Sequence, residues 1–182
     1  MTDESDRGGL IHLYYGPGKG KTTAAMGSVM RALGHGWSVS IVQFMKGHEE
    51  VGEPYGEVMF LDAHDGVAVQ QFSTTHALTP DALSTDERAT LRAGFEAATE
   101  IVSDPERDLV LLDELTLLGE LAVIEDDRFV DLFEAKKPGT ELLVTGREAP
   151  SVVVDAADYV TYMGAVKHPY RRGIEATRGV EF

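Results

Sequence analysis

Eight consecutive residues, Gly16-Pro17-Gly18-Lys19-Gly20-Lys21-Thr22-Thr23, stand between an apolar run and a stretch with helical spacing. Their types suit one task. Glycines let backbone N–H groups turn inward, the start of a helix adds partial positive charge, Lys21 adds a full one, and Thr22 offers a hydroxyl to Mg²⁺. Such a loop holds a polyphosphate. The usual spacing puts another Gly five residues before Gly20, where this chain has Tyr15, and Pro17 has no N–H to donate. A glycine-rich turn with an incidental lysine explains less, because loop, Lys, Thr and flanking elements all agree.

Asp113-Glu114, directly after the apolar residues 109–112 (LVLL), is the matching acidic motif. One carboxylate can hold a metal directly or through water, while the other orients Thr22 or a nucleophile. Thr22, Asp113 and Glu114 are therefore the candidate metal ligands, with Mg²⁺ or Mn²⁺ as the ion. Capping of a helix by Asp113 is the plainer alternative. Arg147, after another short strand, has the planar fork that a triphosphate needs, or forms a surface ion pair. Residues 43–47 (QFMKG) stand at a strand end where they line a pocket or simply exit into a loop, and Arg171-Arg172 is either an anion site or an exposed basic patch. The histidines at 12, 35, 48, 64, 76 and 168 show no metal-ligand spacing on a shared helical face, and no Gly-x-Ser-x-Gly elbow is present.

The elements that must position these groups alternate. Residues 10–15 (LIHLYY), 38–44 (SVSIVQF), 109–112 and 142–144 read as strands, with 159–163 a further one and 58–61 and 67–72 weaker ones. A helix spans residues 22–33 and ends at Gly34-His35-Gly36; a second begins at the capping box Ser84/Glu87 and runs to about Ser103. The continuously apolar strands argue for burial on both faces. The expected architecture is α/β: a mostly parallel sheet with helices on both faces, like that of P-loop NTPases, with the ligand at the carboxyl ends of the strands. All the motifs above fall at those ends.

The 182 residues suit a single domain, here 1–182 with 1–8 disordered. With no cysteine, disulfides, thiolate metal sites and thiol catalysis are excluded. No apolar run reaches the ~20 residues of a membrane span. The first ten residues carry three acids and one arginine instead of a targeting signal, so a cytoplasmic location is expected. Sixteen Lys and Arg against 31 Asp and Glu give a net charge of −15, which repels nucleic acid and anionic lipid. Scarce lysine with acids spread along the chain also fits a salt-rich, halophilic cytoplasm.

The sequence resembles the P-loop corrinoid adenosyltransferases, the ATP:cob(I)yrinic acid a,c-diamide (cob(I)alamin) adenosyltransferase family. The resemblance is carried by GKGKTTAAMG (18–27), RALGHG (31–36), IVQFMKG (41–47), LVLLDEL (109–115), VTGREAP (144–150) and VKHPYRRGIEATRGVEF (166–182). It implies transfer of the 5′-deoxyadenosyl group of ATP to the cobalt of a reduced corrinoid, with triphosphate as the leaving group, in adenosylcobalamin biosynthesis or salvage. On that reading Gly16, Gly18, Lys19, Gly20, Lys21, Thr22 and Thr23 cradle the triphosphate, and Lys21 and Glu114 are the catalytic groups. Thr22 and Glu114 hold Mg²⁺, while Arg31 and Arg147 assist nucleotide binding. Where the family carries Gly-x-Gly-Phe-Thr-Trp, this chain reads DAHDGVAVQQF (62–72), and its only Trp is Trp37. Phe72 in that stretch and His168 in the tail are the candidates for corrinoid contact. A homodimer and a flavoprotein reductant are implied partners.

Two other functions use the same loop. A small-molecule kinase needs an arginine-bearing lid, for which the expected helices offer only scattered arginines such as Arg88 and Arg92, and a noncatalytic nucleotide-binding regulatory protein needs no second substrate.

Overall fold

A computed structural model describes residues 8–46, 54–74 and 79–182. Its six strands are β1 (Ile11–Tyr15), β2 (Val39–Phe44), β3 (Val67–Phe72), β4 (Leu109–Asp113), β5 (Glu141–Gly146) and β6 (Tyr159–Tyr162). They form one sheet in the order β3-β2-β4-β5-β1-β6, and every pairing is parallel. The connections carry α1 (Lys21–Gly34), α2 (Gly56–Leu61), α3 (Thr85–Val102), α4 (Leu117–Glu120), α5 (Asp126–Ala135) and α6 (Ser151–Ala156).

Burial follows from this layering. Every residue of β2 and β4 is buried, as the middle of a sheet covered on both faces requires, while all four residues of the edge strand β6 are exposed. One face of the sheet (Leu13, Val42, Phe44, Val110, Leu112, Val144) packs on α3 and α5 through Leu91, Phe95, Ala98, Phe129 and Leu132. The other (Val39, Ile41, Leu109, Leu111, Leu143) packs on Ala25, Val29 and Ala32 of α1 and on Leu61 of α2. The side chains alternate between the two cores with the two-residue period of a strand.

The expected α/β sheet and its helices are therefore present. The capping box is formed: Ser84 Oγ accepts the Glu87 N–H at 3.2 Å, and Glu87 Oε2 accepts the Ser84 N–H at 2.9 Å. One strand expectation is corrected. Residues 58–61 lie inside α2, where Leu61 alone is buried and Met59 and Phe60 face outward. A four-residue apolar run has too little length to reveal its period, and here helix formers such as Glu57, Met59 and Leu61 decide it. The expectation for 1–8 falls almost wholly outside the described residues, as do Gly47, His48 and His76.

Candidate nucleotide and metal site

The loop between β1 and α1 is built by close backbone approach. Gly16 has φ 122, and a Cβ on it would come within 2.6 Å of the Met163 carbonyl oxygen just beyond β6. Only glycine is accommodated there. The Gly16 N–H donates to the Arg147 carbonyl at 2.8 Å and the Gly18 N–H to that of Met163 at 2.7 Å, tying the loop to the exits of β5 and β6. Gly20, at φ 113, precedes α1 without any side-chain cap, so the first N–H groups of that helix remain available to an anion. Lys21 folds back over the loop and donates to the carbonyls of Gly16 at 2.8 Å and Gly18 at 3.0 Å. Burial lowers its pKa, partly offset by the carboxylate of Glu114.

Across the carboxyl edge of the sheet runs a row of polar side chains. Gln71 on β3 donates to Gln43 Oε1 on β2 at 2.9 Å, and Gln43 donates to Asp113 Oδ2 on β4 at 3.2 Å. Thr145 on β5 donates to Asp113 Oδ1 at 2.7 Å. The strand register puts Gln43 beside both Gln71 and Asp113, so the row follows directly from sheet order. Thr22 Oγ1 donates to Asp113 at 3.0 Å, joining the helix start to the row. Lys46 completes it: its Nζ lies 2.6 Å from Asp113 Oδ2 and 2.8 Å from Thr22 Oγ1. Asp113 is wholly buried. Burial alone would raise its pKa, but Lys46 and the hydroxyls of Thr145 and Thr22 hold it below the usual carboxylate value. For Lys46 burial opposes the charge, and Asp113 outweighs it, so the ammonium pKa is raised.

Glu114 is different. It takes φ 60, a region unfavourable for a side-chain-bearing residue, and its N–H donates to Thr145 Oγ1 at 2.8 Å. Its Oε2 is buried with no hydrogen-bond partner in the described structure. Burial, then the charge of Asp113, push its pKa up. A strained, unsatisfied carboxylate beside Thr22 and Asp113 is what an oxygen-seeking cation needs, and a Mg²⁺ site built from one or two carboxylates plus substrate phosphates has this composition. Among the described residues no group of three or more His, Cys, Asp or Glu is arranged for an all-protein metal cage.

These groups open on a cavity of about 1080 Å³ at the carboxyl ends of the strands. Gly18, Lys19, Gly20, Lys21, Thr22 and Thr23 line one wall, with Lys46, Glu114 and Arg147 around them. Gly16 shapes the loop from beneath, and Asp113 is buried under Thr22. His168, Tyr170 and Arg171 line another side, together with residues 179–182, which the exposed Lys19 contacts through the Val180 carbonyl at 3.1 Å and Glu181 at 3.6 Å. Of the expected residues, then, the structure brings together the loop, Thr22, Asp113, Glu114, Arg147 and His168.

Two stand apart. Arg31 is ten residues along α1 from Lys21, about 15 Å by helical rise, and lines a separate cavity of about 330 Å³ with Trp37 and Tyr159. The sequence distance between the loop and Arg31 is spent along a straight helix, which carries the guanidinium away from the loop. Phe72 ends the edge strand β3 and turns inward: its ring stacks on Phe44 at 6.2 Å, beside Gly94, where any Cβ would meet it at 2.6 Å. The lid candidates Arg88 and Arg92 are tied to backbone carbonyls of Ala122 at 3.1 Å and Val123 at 3.3 Å, away from the loop.

With that geometry in place the comparisons are specific. The sequence model of the family described as ATP:corrinoid adenosyltransferase BtuR/CobO/CobP matches residues 7–182. The chain belongs to this family. It is 36% identical to the corrinoid adenosyltransferase of Pseudomonas aeruginosa over 97% of its own length and 85% of the relative's. With the corrinoid adenosyltransferase CobA of Salmonella typhimurium it shares 33% identity over 96% of this chain and 86% of that one. The figure for the corrinoid adenosyltransferase of Escherichia coli K12 is 33% over 100% and 90%.

Sequence reasoning placed Gln43 and Lys46 only in a general pocket wall and gave Thr145 no role. The signal for Lys46 was weak because its position depends on Met45, whose φ of 56 turns the chain at the end of β2 and lets Lys46 return over Asp113. Thr145 is an unremarkable strand residue until the register sets it beside the end of β4.

Proposed function

We infer that the chain transfers the 5′-deoxyadenosyl group of ATP to the cobalt of a reduced corrinoid, releasing triphosphate. The observation that carries this reading is the convergence of Lys21, Lys46 and Arg147 on one polyphosphate-sized cavity, in a chain matched over nearly its whole length by a family named for ATP and corrinoid. In the reaction the cobalt(I) electron pair attacks carbon 5′ and becomes the cobalt–carbon bond, while the carbon–oxygen bond to the triphosphate breaks and its own electron pair departs with the leaving group. Cobalt(I) is already a strong nucleophile, so the protein must position and neutralise more than it must move protons.

The roles follow from place. The N–H groups at the start of α1 and the ammonium of Lys21 would bind the triphosphate, with Lys21 leaving the loop carbonyls for phosphate oxygens. Arg147 would take up charge at the cavity rim. Thr22, Glu114 and Asp113 would hold Mg²⁺ or Mn²⁺, which when bound supplies further neutralisation of the leaving group. His168, which lines the cavity with Tyr170 and Arg171, is the candidate for corrinoid contact. The substrate must arrive as cobalt(I), which assigns the protein an electron donor such as a reduced flavoprotein. A homodimer in the cytoplasm completes the reading.

The test is product analysis with ATP, Mg²⁺ and chemically reduced corrinoid. A cobalt–carbon bond with stoichiometric triphosphate is the expected result. ADP instead would make the protein a kinase, and nucleotide binding without turnover a regulatory protein.

A further inference from the structure

The pair of oxygens assigned above to a divalent cation already has a cation on it. Lys46 Nζ is 2.8 Å from Thr22 Oγ1 and 2.6 Å from Asp113 Oδ2, and the side chain is 14% exposed. A Mg²⁺ ion binds oxygen at about 2.0–2.1 Å. An ion at that distance from Thr22 Oγ1 would fall within the space and the field of the ammonium, so the two cannot share the pair. Lys46 also borders the cavity, with the Tyr55 ring 5.8 Å from its Nζ. The charged groups that act on it are Asp113, Glu114 and Glu57, and it in turn acts weakly on Lys21.

We propose that Lys46 is a built-in counter-ion that holds the metal position in the nucleotide-free protein and yields it to the divalent cation that arrives with the polyphosphate. This rests on the nucleotide reading above and adds an order of events to it. Without nucleotide, the ammonium displaced from Asp113 would have only Glu57 and Glu114, which it already faces, and Glu114 would itself be drawn to the metal ion, so a metal ion gains little. With a polyphosphate in the cavity, the displaced ammonium has phosphate oxygens within reach of its flexible stem. Metal and nucleotide thus strengthen each other's binding, and each is a poor ligand alone. The device also prevents buried Asp113 and half-buried Glu114, adjacent in the chain, from trapping a metal ion unproductively.

The experiment uses the full, nucleotide-free chain and Mn²⁺ as the probe, with free Mn²⁺ read by electron paramagnetic resonance. Lys46→Met is expected to bind one Mn²⁺ at least about tenfold more tightly than the unaltered protein, the scale of one charge-assisted contact. The gain must vanish in Lys46→Met combined with Thr22→Val, which separates this position from ion binding by the acidic surface. Lys46→Gln, which keeps a hydrogen-bond donor for Asp113 without the charge, carries the same expectation where the Met variant does not fold. Equal Mn²⁺ affinity in folded variant and parent, or a gain that survives Thr22→Val, overturns the proposal. ATP titration at saturating Mg²⁺ stands apart: failure there removes the nucleotide reading itself, whereas equal Mn²⁺ affinities remove only the role of Lys46.

Discussion

One oxygen holds both acids of the site: Thr145 Oγ1 donates its hydrogen to Asp113 Oδ1 at 2.7 Å and accepts the Glu114 N–H at 2.8 Å. The second bond supports the left-handed backbone of Glu114, and the first helps keep Asp113 ionised. Thr145→Val preserves the shape and deletes both bonds. It should lower stability by roughly 1–3 kcal/mol, the cost of leaving a buried donor unsatisfied, and raise the Mg²⁺ concentration needed for tight nucleotide binding. Thermal unfolding and ATP titration at several Mg²⁺ concentrations check this. Unchanged values in both would deny the hydroxyl its role in positioning Glu114.

Glu114→Gln should move stability and metal dependence in opposite directions. Its folded-state pKa is raised by burial and by Asp113, so the native protein holds that proton better than the unfolded chain does. The favourable contribution is therefore complete below the ordinary glutamate range and is lost as pH rises through the raised value. At neutral pH the ionised side chain is a liability that Gln removes. In chelator, the variant is expected to melt higher than the parent at pH 7 and to lose that advantage as pH falls through the raised value, with none left below about 4. ATP binding by the variant should respond less to Mg²⁺. A variant less stable than its parent at pH 7 would show that ionised Glu114 has compensation in solution.

Phe72→Ala separates the expected corrinoid contact from the packing. The ring is partly buried against Phe44 and the backbone at Gly94, so its loss should cost up to about 3 kcal/mol, less than for a fully enclosed phenylalanine. ATP affinity should hold, since the loop is on other strands. A variant of unchanged melting temperature that adenosylates corrinoid slowly would instead give Phe72 the role the sequence suggested.

What the sequence made legible was whatever is encoded locally. The Gly-Lys-Thr loop, the capping box and the apolar runs of β2 and β4 each carry their signal within a few neighbours. Asp113 and Glu114 could be placed because strand ends converge in a parallel sheet whatever its order. The rest depended on that order. Gln71, Gln43, Asp113 and Thr145 form a row only because β3, β2, β4 and β5 are neighbours, and nothing within any one of those strands announces it. Lys46 depends on the turn at Met45, and the resemblance that named Arg31 carries no measure of the helix that sets it about 15 Å along from Lys21. The run at 58–61 failed for want of length, while the apolar spacing of Phe129, Leu132 and Phe133 in α5 was readable and adds nothing to the site.

The net charge of −15 leads to a prediction about environment. Pairs such as Arg128–Glu96 at 2.8 Å are exposed and contribute little, so most surface acids face water and one another. Some gain from position: Asp86 and Glu87 open α3, and Asp126 and Asp127 open α5, where the helix dipole favours them. The excess of 31 acids over 16 bases still opposes compaction. Raising ionic strength from 0.15 M to 1 M shortens the screening length from ~8 Å to ~3 Å, which weakens that repulsion much more than it weakens the buried Lys46–Asp113 pair. The melting temperature should therefore climb between low and molar KCl. Because the excess charge is spread over the surface, replacing one exposed acid should not abolish the rise. A melting temperature that is flat or falling across that range would mark an ordinary acidic protein and remove the halophilic reading.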